Sequence, residues 1–170
     1  MRIHNLHERA LAGSAKEVGD LLDGLSGPQD RLWPSDNWPA LRLDGPLRPG
    51  ARGGPGPVRY AVAEHVPGRR VSFRFDGRGL TAGLFGGHHF EVLEVNGRLG
   101  LRHLIEARCG LAAWLKWILI IEPLHDALLE DALDRAERCF SGHVERPACW
   151  STRVRLLRRL VATRRPRSGG

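Results

Sequence analysis

The dipeptide Asn96-Gly97 separates two runs of alternating apolar and polar residues, at 87–95 and 98–108. Asn-Gly between such runs is the strongest hairpin signal in a short sequence. With these two residues as the loop, Glu91 faces Arg102, a favourable charge pair on a solvated face. Because side chains alternate along a strand, the opposite face carries the pairs Val92–Leu101, Phe90–His103 and His88–Ile105.

A second hairpin is predicted around Pro67-Gly68, with strands at residues 58–66 and 69–76. Arg59, Arg70, Arg74 and Asp76 lie on one side of the predicted strands, so that side is solvated. The same alternation argument places three pairs on the opposite, buried face: Tyr60–Phe75, Val62–Phe73 and Glu64–Val71. The two hairpins together predict four antiparallel strands in succession.

Shorter elements precede these hairpins. Residues 2–11 predict a first strand, and the capping box of Ser14 and Glu17 predicts a helix over residues 15–25. Residues 31–57 are rich in proline and glycine and predict a long loop with a short strand at 40–44. This loop contains Trp33 and Trp38, which either form a lid over a cavity or fill the end of the core.

The most apolar part of the chain, residues 110–125, follows the second hairpin. A membrane-spanning helix needs roughly 18–20 consecutive apolar residues. Lys116 interrupts this segment and Glu122-Pro123 ends it, so it is too short to span a membrane. We predict a helix that is buried on nearly all sides, continues to about Phe140, and bends near residues 119–122 because proline removes a backbone donor.

This order of elements resembles the helix-grip fold of the START/Bet v 1-like (SRPBCC) superfamily, which includes polyketide cyclase-like proteins. The resemblance is carried by residues 86–106 and by residues 123–131, and it covers residues 1–140. It implies an α+β fold in which a curved antiparallel sheet wraps around a long C-terminal helix. We predict a ligand-binding domain over residues 1–142 and a basic extension over residues 143–170.

The resemblance also implies a hydrophobic hollow between the sheet and the long helix, in which a hydrophobic small molecule or lipid binds. Apolar walls with a few polar groups are typical of such a site. The helix residues Trp117 and His125 are candidates to face the hollow. The predicted ligand-binding residues are Tyr60, Val62, Phe73, Phe75, His88, Phe90, Val92, Leu101, His103, Ile105, Trp114, Ile118 and Ile121.

Catalysis is the alternative function, as a polyketide cyclase, aromatase or dehydratase in which His88, His103 and Tyr60 orient a substrate or move protons. The two histidines are otherwise structural residues with buried partners. Neither a nucleophile motif nor a nucleotide-binding motif occurs in the sequence, and we predict no cofactor. We also predict no metal site, because His88 and its neighbour His89 point to opposite faces of a strand.

The basic charge is concentrated at the end of the chain. Residues 151–170 hold seven of the 26 basic residues and no acidic residue, so residues 1–150 carry no net charge. Sequence-specific nucleic-acid binding by the domain is therefore not expected. Residues 150–165 predict a basic amphipathic helix with Trp150, Val154, Leu157 and Val161 on one face. It either contacts an anionic membrane or an acidic partner, as in an adaptor, or packs on the domain.

The location of the protein is predicted from its cysteines and its first residues. Three cysteines without a metal-like spacing indicate reduced thiols, and the first nine residues contain no apolar run typical of a signal peptide. These features favour a cytoplasmic protein, with peripheral membrane contact as the alternative that the basic helix adds.

Overall fold

The computed structural model of the protein describes residues 1–162. Its strands are β1 (Arg2–Ala10), β2 (Leu41–Leu43), β3 (Arg52–Pro55), β4 (Tyr60–Val66), β5 (Arg70–Phe75), β6 (Leu84–Val95) and β7 (Arg98–Cys109). They form one antiparallel sheet in the order β1-β7-β6-β5-β4-β3-β2. All neighbours in this order except β1 and β7 are consecutive in the chain. The predicted succession of hairpins is therefore confirmed, and β1 forms one edge of the sheet beside β7.

The helices are α1 (Ala15–Asp23), α2 (Leu111–Lys116), α3 (Glu122–Ser141) and α4 (Thr152–Ala162), with a short 3₁₀ turn at Gly79–Thr81. The predicted capping box begins α1: the Glu17 N–H donates to Ser14 Oγ, and the Ser14 N–H donates to Glu17 Oε2. A π-helical turn over Trp117–Ile121 joins α2 to α3. Pro123 cannot donate a backbone hydrogen bond, and the irregular turn lies directly before it, where the bend was predicted.

The register of β6 and β7 is the predicted one, including Phe90 opposite His103 and His88 opposite Ile105. In the β4–β5 hairpin the pairs Tyr60–Phe75 and Val62–Phe73 are also as predicted. The predicted pairing of Glu64 with Val71 is wrong, because Glu64 lies opposite Ser72. A bulge between Val62 and Glu64 shifts the register by one residue, as an extra residue in one strand of a pair does.

The sheet is curved and holds the long helix against one face, which is the helix-grip α+β arrangement. The larger of two hydrophobic clusters joins α1 and α3 to the middle of the sheet, with Leu22, Leu101 and Leu133 fully buried. A smaller cluster joins the π-helical turn to the ends of β6 and β7 through Trp117 and Ile105. A space between the two clusters is the candidate site.

The first part of the long helix is not buried on nearly all sides, and that prediction is corrected. Leu111, Leu115 and Leu119 are 60%, 42% and 55% exposed, whereas Trp117 and Ile121 are buried. Residues four apart lie on the same face of a helix, so the three leucines form an outer row while the opposite face meets the sheet. Within residues 1–162, no helix combines the length and apolarity that crossing a membrane requires.

The described part of the basic extension packs on the rest of the protein. Val154 is buried within the larger cluster, and the Trp150 ring meets the Trp38 ring edge to face with centroids 5.7 Å apart. The Arg158 guanidinium lies 3.8 Å from the centroid of the Trp150 ring. The domain boundary at residue 142 and contact with a membrane stay predictions. The side chain of Val161 and all of residues 163–165, part of the predicted amphipathic helix, lie outside what the structure describes.

Candidate ligand cavity and histidine chain

A cavity of about 130 Å³ lies between the sheet and the long helix. Its walls are almost entirely apolar. Pro39 and Pro57 are exposed lining residues and mark its opening, while Leu129 lies deep in the core. Six of the predicted ligand-binding residues line it: Tyr60, Phe75, His88, His103, Ile105 and Ile121.

The other predicted ligand-binding residues do not line the cavity. They were chosen for pointing toward the helix side of the sheet, but a side chain on that face contributes to the core wherever the sheet and helices touch. Four are buried in the larger cluster (Val62, Phe73, Phe90 and Leu101), Val92 packs against it, and Trp114 and Ile118 pack against the smaller one.

One side of the cavity comes from a segment that the strand pattern did not assign to the site. Trp33 and Trp38 from the long loop are both buried and line the cavity. They therefore act as walls, and Trp38 is held there because its Nε1–H donates to Asp131 Oδ2 on α3 at 2.7 Å. The two tryptophans among prolines are the sequence signal for this wall. Val58, Thr81 and Leu128 also line the cavity and were not predicted.

The polar groups of the cavity are those proposed for catalysis. His88 Nδ1 and His103 Nε2 are 3.0 Å apart, so one ring donates a hydrogen bond to the other. The Tyr60 ring meets the His88 ring edge to face at 4.9 Å, and His88 stacks on Phe73 at the same distance. Among the described residues, the Tyr60 hydroxyl has no hydrogen-bond partner, so it is available to a ligand.

Four histidine rings follow one another from the cavity to the edge of the sheet: His88, His103, His125 and His7. We call them the histidine chain. Successive ring centroids are 5.1, 5.0 and 5.8 Å apart. His7 lies on β1 and is not among the site residues predicted from the sequence. The pairing of β1 with β7 puts His7 opposite His103 and completes the chain.

The inner end of the histidine chain is uncharged at neutral pH. Burial, with repulsion from His125 and His89, lowers the pKa of His88 to about 3. Burial likewise holds the pKa of His103 well below its ordinary value. Burial also raises the pKa of the Tyr60 hydroxyl, which therefore stays protonated. The cavity thus offers neutral hydrogen-bonding groups and no charge.

The outer end of the histidine chain is charged. Burial opposes protonation of His7, but hydrogen bonds with Asp126 and Glu130 raise its pKa to about 9. His7 Nδ1 is 2.7 Å from Glu130 Oε1, and His7 Nε2 is 3.1 Å from Asp126 Oδ1. The hydrogen bond from His7 lowers the pKa of Glu130. Next along β1, Arg9 donates to Glu130 and to Asp134, so this face of α3 is bound to the edge strand by ion pairs.

Comparison with known proteins is informative only for structure. No family model matches the chain, and no curated protein sequence matches it. Solved structures do match. A solution structure of a protein from Thermobifida fusca is 16% identical, with a TM-score of 0.61, over 86% of this chain and 99% of its own.

Two further structures carry descriptive names. CalU16 from Micromonospora echinospora is 14% identical, with a TM-score of 0.51, over 94% of this chain and 83% of its own. A truncated norcoclaurine synthase from Thalictrum flavum is 15% identical, with a TM-score of 0.56, over 78% of this chain and 91% of its own. The predicted resemblance is confirmed: the chain has the Bet v 1-like helix-grip fold. Identities this low establish the fold alone.

Proposed function

We propose that the protein binds a small, uncharged, ring-shaped hydrophobic molecule in the cavity between the sheet and α3. The cavity supports this, because its apolar walls surround a few neutral polar groups. Proteins of this fold commonly bind small hydrophobic ligands. An apolar cavity of about 150 Å³ accommodates benzene, whereas pockets for drug-sized ligands are about 300–1,000 Å³. A volume of about 130 Å³ therefore favours one ring over a lipid chain.

The polar groups of the cavity indicate which substituents the ligand ring carries. Tyr60 and His88 lie side by side on the cavity wall, and both are neutral. The Tyr60 hydroxyl can donate to a ligand oxygen or accept from a ligand hydroxyl. A carboxylate or an ammonium group would have to enter this cavity without an opposite charge to compensate its lost hydration, which is costly. A phenol or a cyclic ketone fits these requirements.

The catalytic alternative receives less support. Its geometric requirement is met, because His88 and His103 are in hydrogen-bond contact and Tyr60 adjoins His88. A general base is most effective when its pKa lies near the working pH. The pKa of His88, at about 3, makes this residue a poor proton acceptor. We therefore favour ligand binding over proton transfer as the function of the cavity, and catalysis stays a prediction.

We expect fluorobenzene and 4-fluorophenol to bind the protein, as measured by fluorine NMR titration. Tyr60→Phe should leave the affinity for fluorobenzene within about twofold. It should weaken 4-fluorophenol about fivefold, because one hydrogen bond of about 1 kcal/mol is lost. Equal losses for both probes would contradict a polar role of Tyr60. Failure of both probes to bind the wild-type protein would refute the proposed function.

A second substitution tests whether the probes occupy this cavity. Val58 lies just before β4 and lines the cavity near its opening, whereas Val66 ends β4, is 38% exposed and does not line the cavity. Val58→Phe should fill the opening and weaken fluorobenzene at least tenfold, while Val66→Phe should have no effect. Equal binding by the two variants, both shown to be folded by circular dichroism, would place the probe elsewhere.

A further inference from the structure

The outer end of the histidine chain brings three metal-ligating side chains together. His7, His125 and Asp126 each offer one ligand atom, and these atoms lie within 4.8 Å of one another. Asp126 Oδ1 is 3.1 Å from His7 Nε2 and 3.7 Å from His125 Nδ1. His7 comes from β1, while the other two are neighbours near the start of α3. Packing of the edge strand on the helix therefore creates the cluster.

We propose that His7, His125 and Asp126 bind a divalent transition-metal ion, with zinc as the best-fitting ion. Zinc bonds to histidine nitrogen and carboxylate oxygen are about 2.0–2.2 Å, so tetrahedral ligand atoms are about 3.3–3.5 Å apart. The two distances from Asp126 Oδ1 bracket that separation. Two histidines, one carboxylate and an open fourth position are the donor set of zinc sites that keep a water or substrate ligand.

An unpartnered nitrogen supports the proposal independently of the clustering. His125 Nδ1 is buried and has no hydrogen-bond partner among the described residues. Buried polar atoms are nearly always paired, so such an atom calls for an explanation. It faces Asp126 at 3.7 Å, which is too long for a hydrogen bond and short enough for two ligands of one ion. A metal ion supplies the missing partner.

The surroundings of His7 also match a metal site. A metal-ligating histidine almost always bonds its other ring nitrogen to a carboxylate, a carbonyl or water, which fixes the tautomer. His7 Nδ1 has Glu130 Oε1 at 2.7 Å, and this leaves Nε2 directed at Asp126. The carboxylates of Asp126, within the cluster, and of Glu130, beside it and shared with Arg9, give this place the negative charge that a cation requires. Glu130 is thus a positioning residue for His7 in this arrangement.

The metal site does not depend on the proposed cavity ligand. His125 is the one residue that belongs to both, because it lines the cavity and offers Nδ1 to the cluster. The competing explanation is a metal-free ion pair in which His7 is protonated between Asp126 and Glu130. That arrangement satisfies His7 but leaves His125 Nδ1 without a hydrogen-bond partner among the described residues, with Asp126 Oδ1 at 3.7 Å.

The test is zinc titration of the full chain at pH 7.5 against a chromogenic chelator, with cobalt absorption as the second readout. The exposed thiols of Cys139 and Cys149 are first changed to serine, since thiolates bind zinc. We expect one zinc ion per chain. His7→Gln and Asp126→Asn should each weaken binding at least 100-fold, and Glu130→Gln should weaken it about 10–100-fold.

His65→Gln is the matched control. His65 Nε2 is 2.8 Å from Asp23 Oδ1, so it forms a histidine–carboxylate pair outside the three-residue cluster, and its loss should leave zinc binding unchanged. The proposal is overturned if the wild-type chain binds no zinc, or if folded His7→Gln and Asp126→Asn variants bind it as tightly as the control. Should those variants not fold, the cobalt spectrum of the parent chain decides. An intense four- or five-coordinate spectrum supports the site, and the weak spectrum of hydrated cobalt refutes it.

Discussion

Lowering the pH from 7 to 5 is expected to reduce the free energy of unfolding of the metal-free protein by several kcal/mol. The pKa values of His88 and His103 are far below their ordinary value of 6.5 in the folded protein. Both rings stay neutral at pH 5 when folded but take up a proton when unfolded. A pKa difference is worth about 1.36 kcal/mol per unit, so His88 costs about 2 kcal/mol at pH 5, and His103 adds to the loss in the same direction.

The sign of this change in stability follows from the direction in which folding shifts each pKa. A histidine with a depressed folded pKa favours the unfolded state once the pH falls below the unfolded pKa of 6.5, so stability is lost from there downward. His7 acts in the opposite direction, because its folded pKa is about 9. Most of its stabilisation is already present at pH 7, and it offsets only about 1 kcal/mol of the loss between pH 7 and 5.

Chemical denaturation at pH 7, 6 and 5 in the presence of a chelator measures this dependence. His88→Gln should remove about 2 kcal/mol of the pH-dependent loss, because one of the buried neutral rings is gone. His4→Gln is the control, since His4 is a histidine exposed on the same sheet. A wild-type stability that does not change between pH 7 and 5 would show that the two rings are not buried as described.

Replacing both Trp150 and Val154 by alanine is expected to lower the free energy of unfolding by about 4 kcal/mol. Val154 is buried and Trp150 is half-buried. Truncation to alanine costs about 1–3 kcal/mol for a fully buried valine and about 3–5 kcal/mol for a fully buried tryptophan. Trp150 Nε1–H also donates to Asp131, at 3.1 Å from Oδ2 and 3.2 Å from Oδ1. Removing Trp150 therefore takes away packing and a hydrogen bond together.

The control for this pair is Leu156→Ala on the outer side of α4, where the leucine is 57% exposed. Urea denaturation followed by circular dichroism should show a change within about 0.5 kcal/mol for this variant. If the double variant were as stable as Leu156→Ala, α4 would be a tail without energetic contact with the domain. That result would favour the predicted boundary at residue 142.

Parts of the fold that follow from local chemistry could be predicted from the sequence. The turn at Asn96-Gly97 fixes a register, because a type I′ loop of two residues leaves one way to pair the flanking strands. The bulge after Val62 could not be found in this way, because an extra residue in a strand changes the pairing without a turn signal. The exposed row of leucines on α2 and the π-helical turn could not be predicted for a related reason. Apolar content alone does not show which face of a helix has a neighbour.

The candidate site likewise contains residues that the sequence predicts and residues that it does not. The contact of His88 with His103 follows from strand register alone, and both residues line the cavity. Which other inward-facing residues border an empty space depends on how the helix packs, so Phe90 and Leu101 could not be distinguished from lining residues. His7 joins the histidine chain through the pairing of β1 with β7, the first and the last strand of the sequence. Long-range pairings of this kind leave no local pattern.

Asp131 accepts hydrogen bonds from two indoles, Trp38 on the cavity wall and Trp150 before α4. This one carboxylate therefore links a wall of the cavity to a residue just before α4. A change in the packing of Trp150 is therefore expected to shift Trp38 as well, so that α4, although outside the cavity, helps to set the shape that a ligand meets.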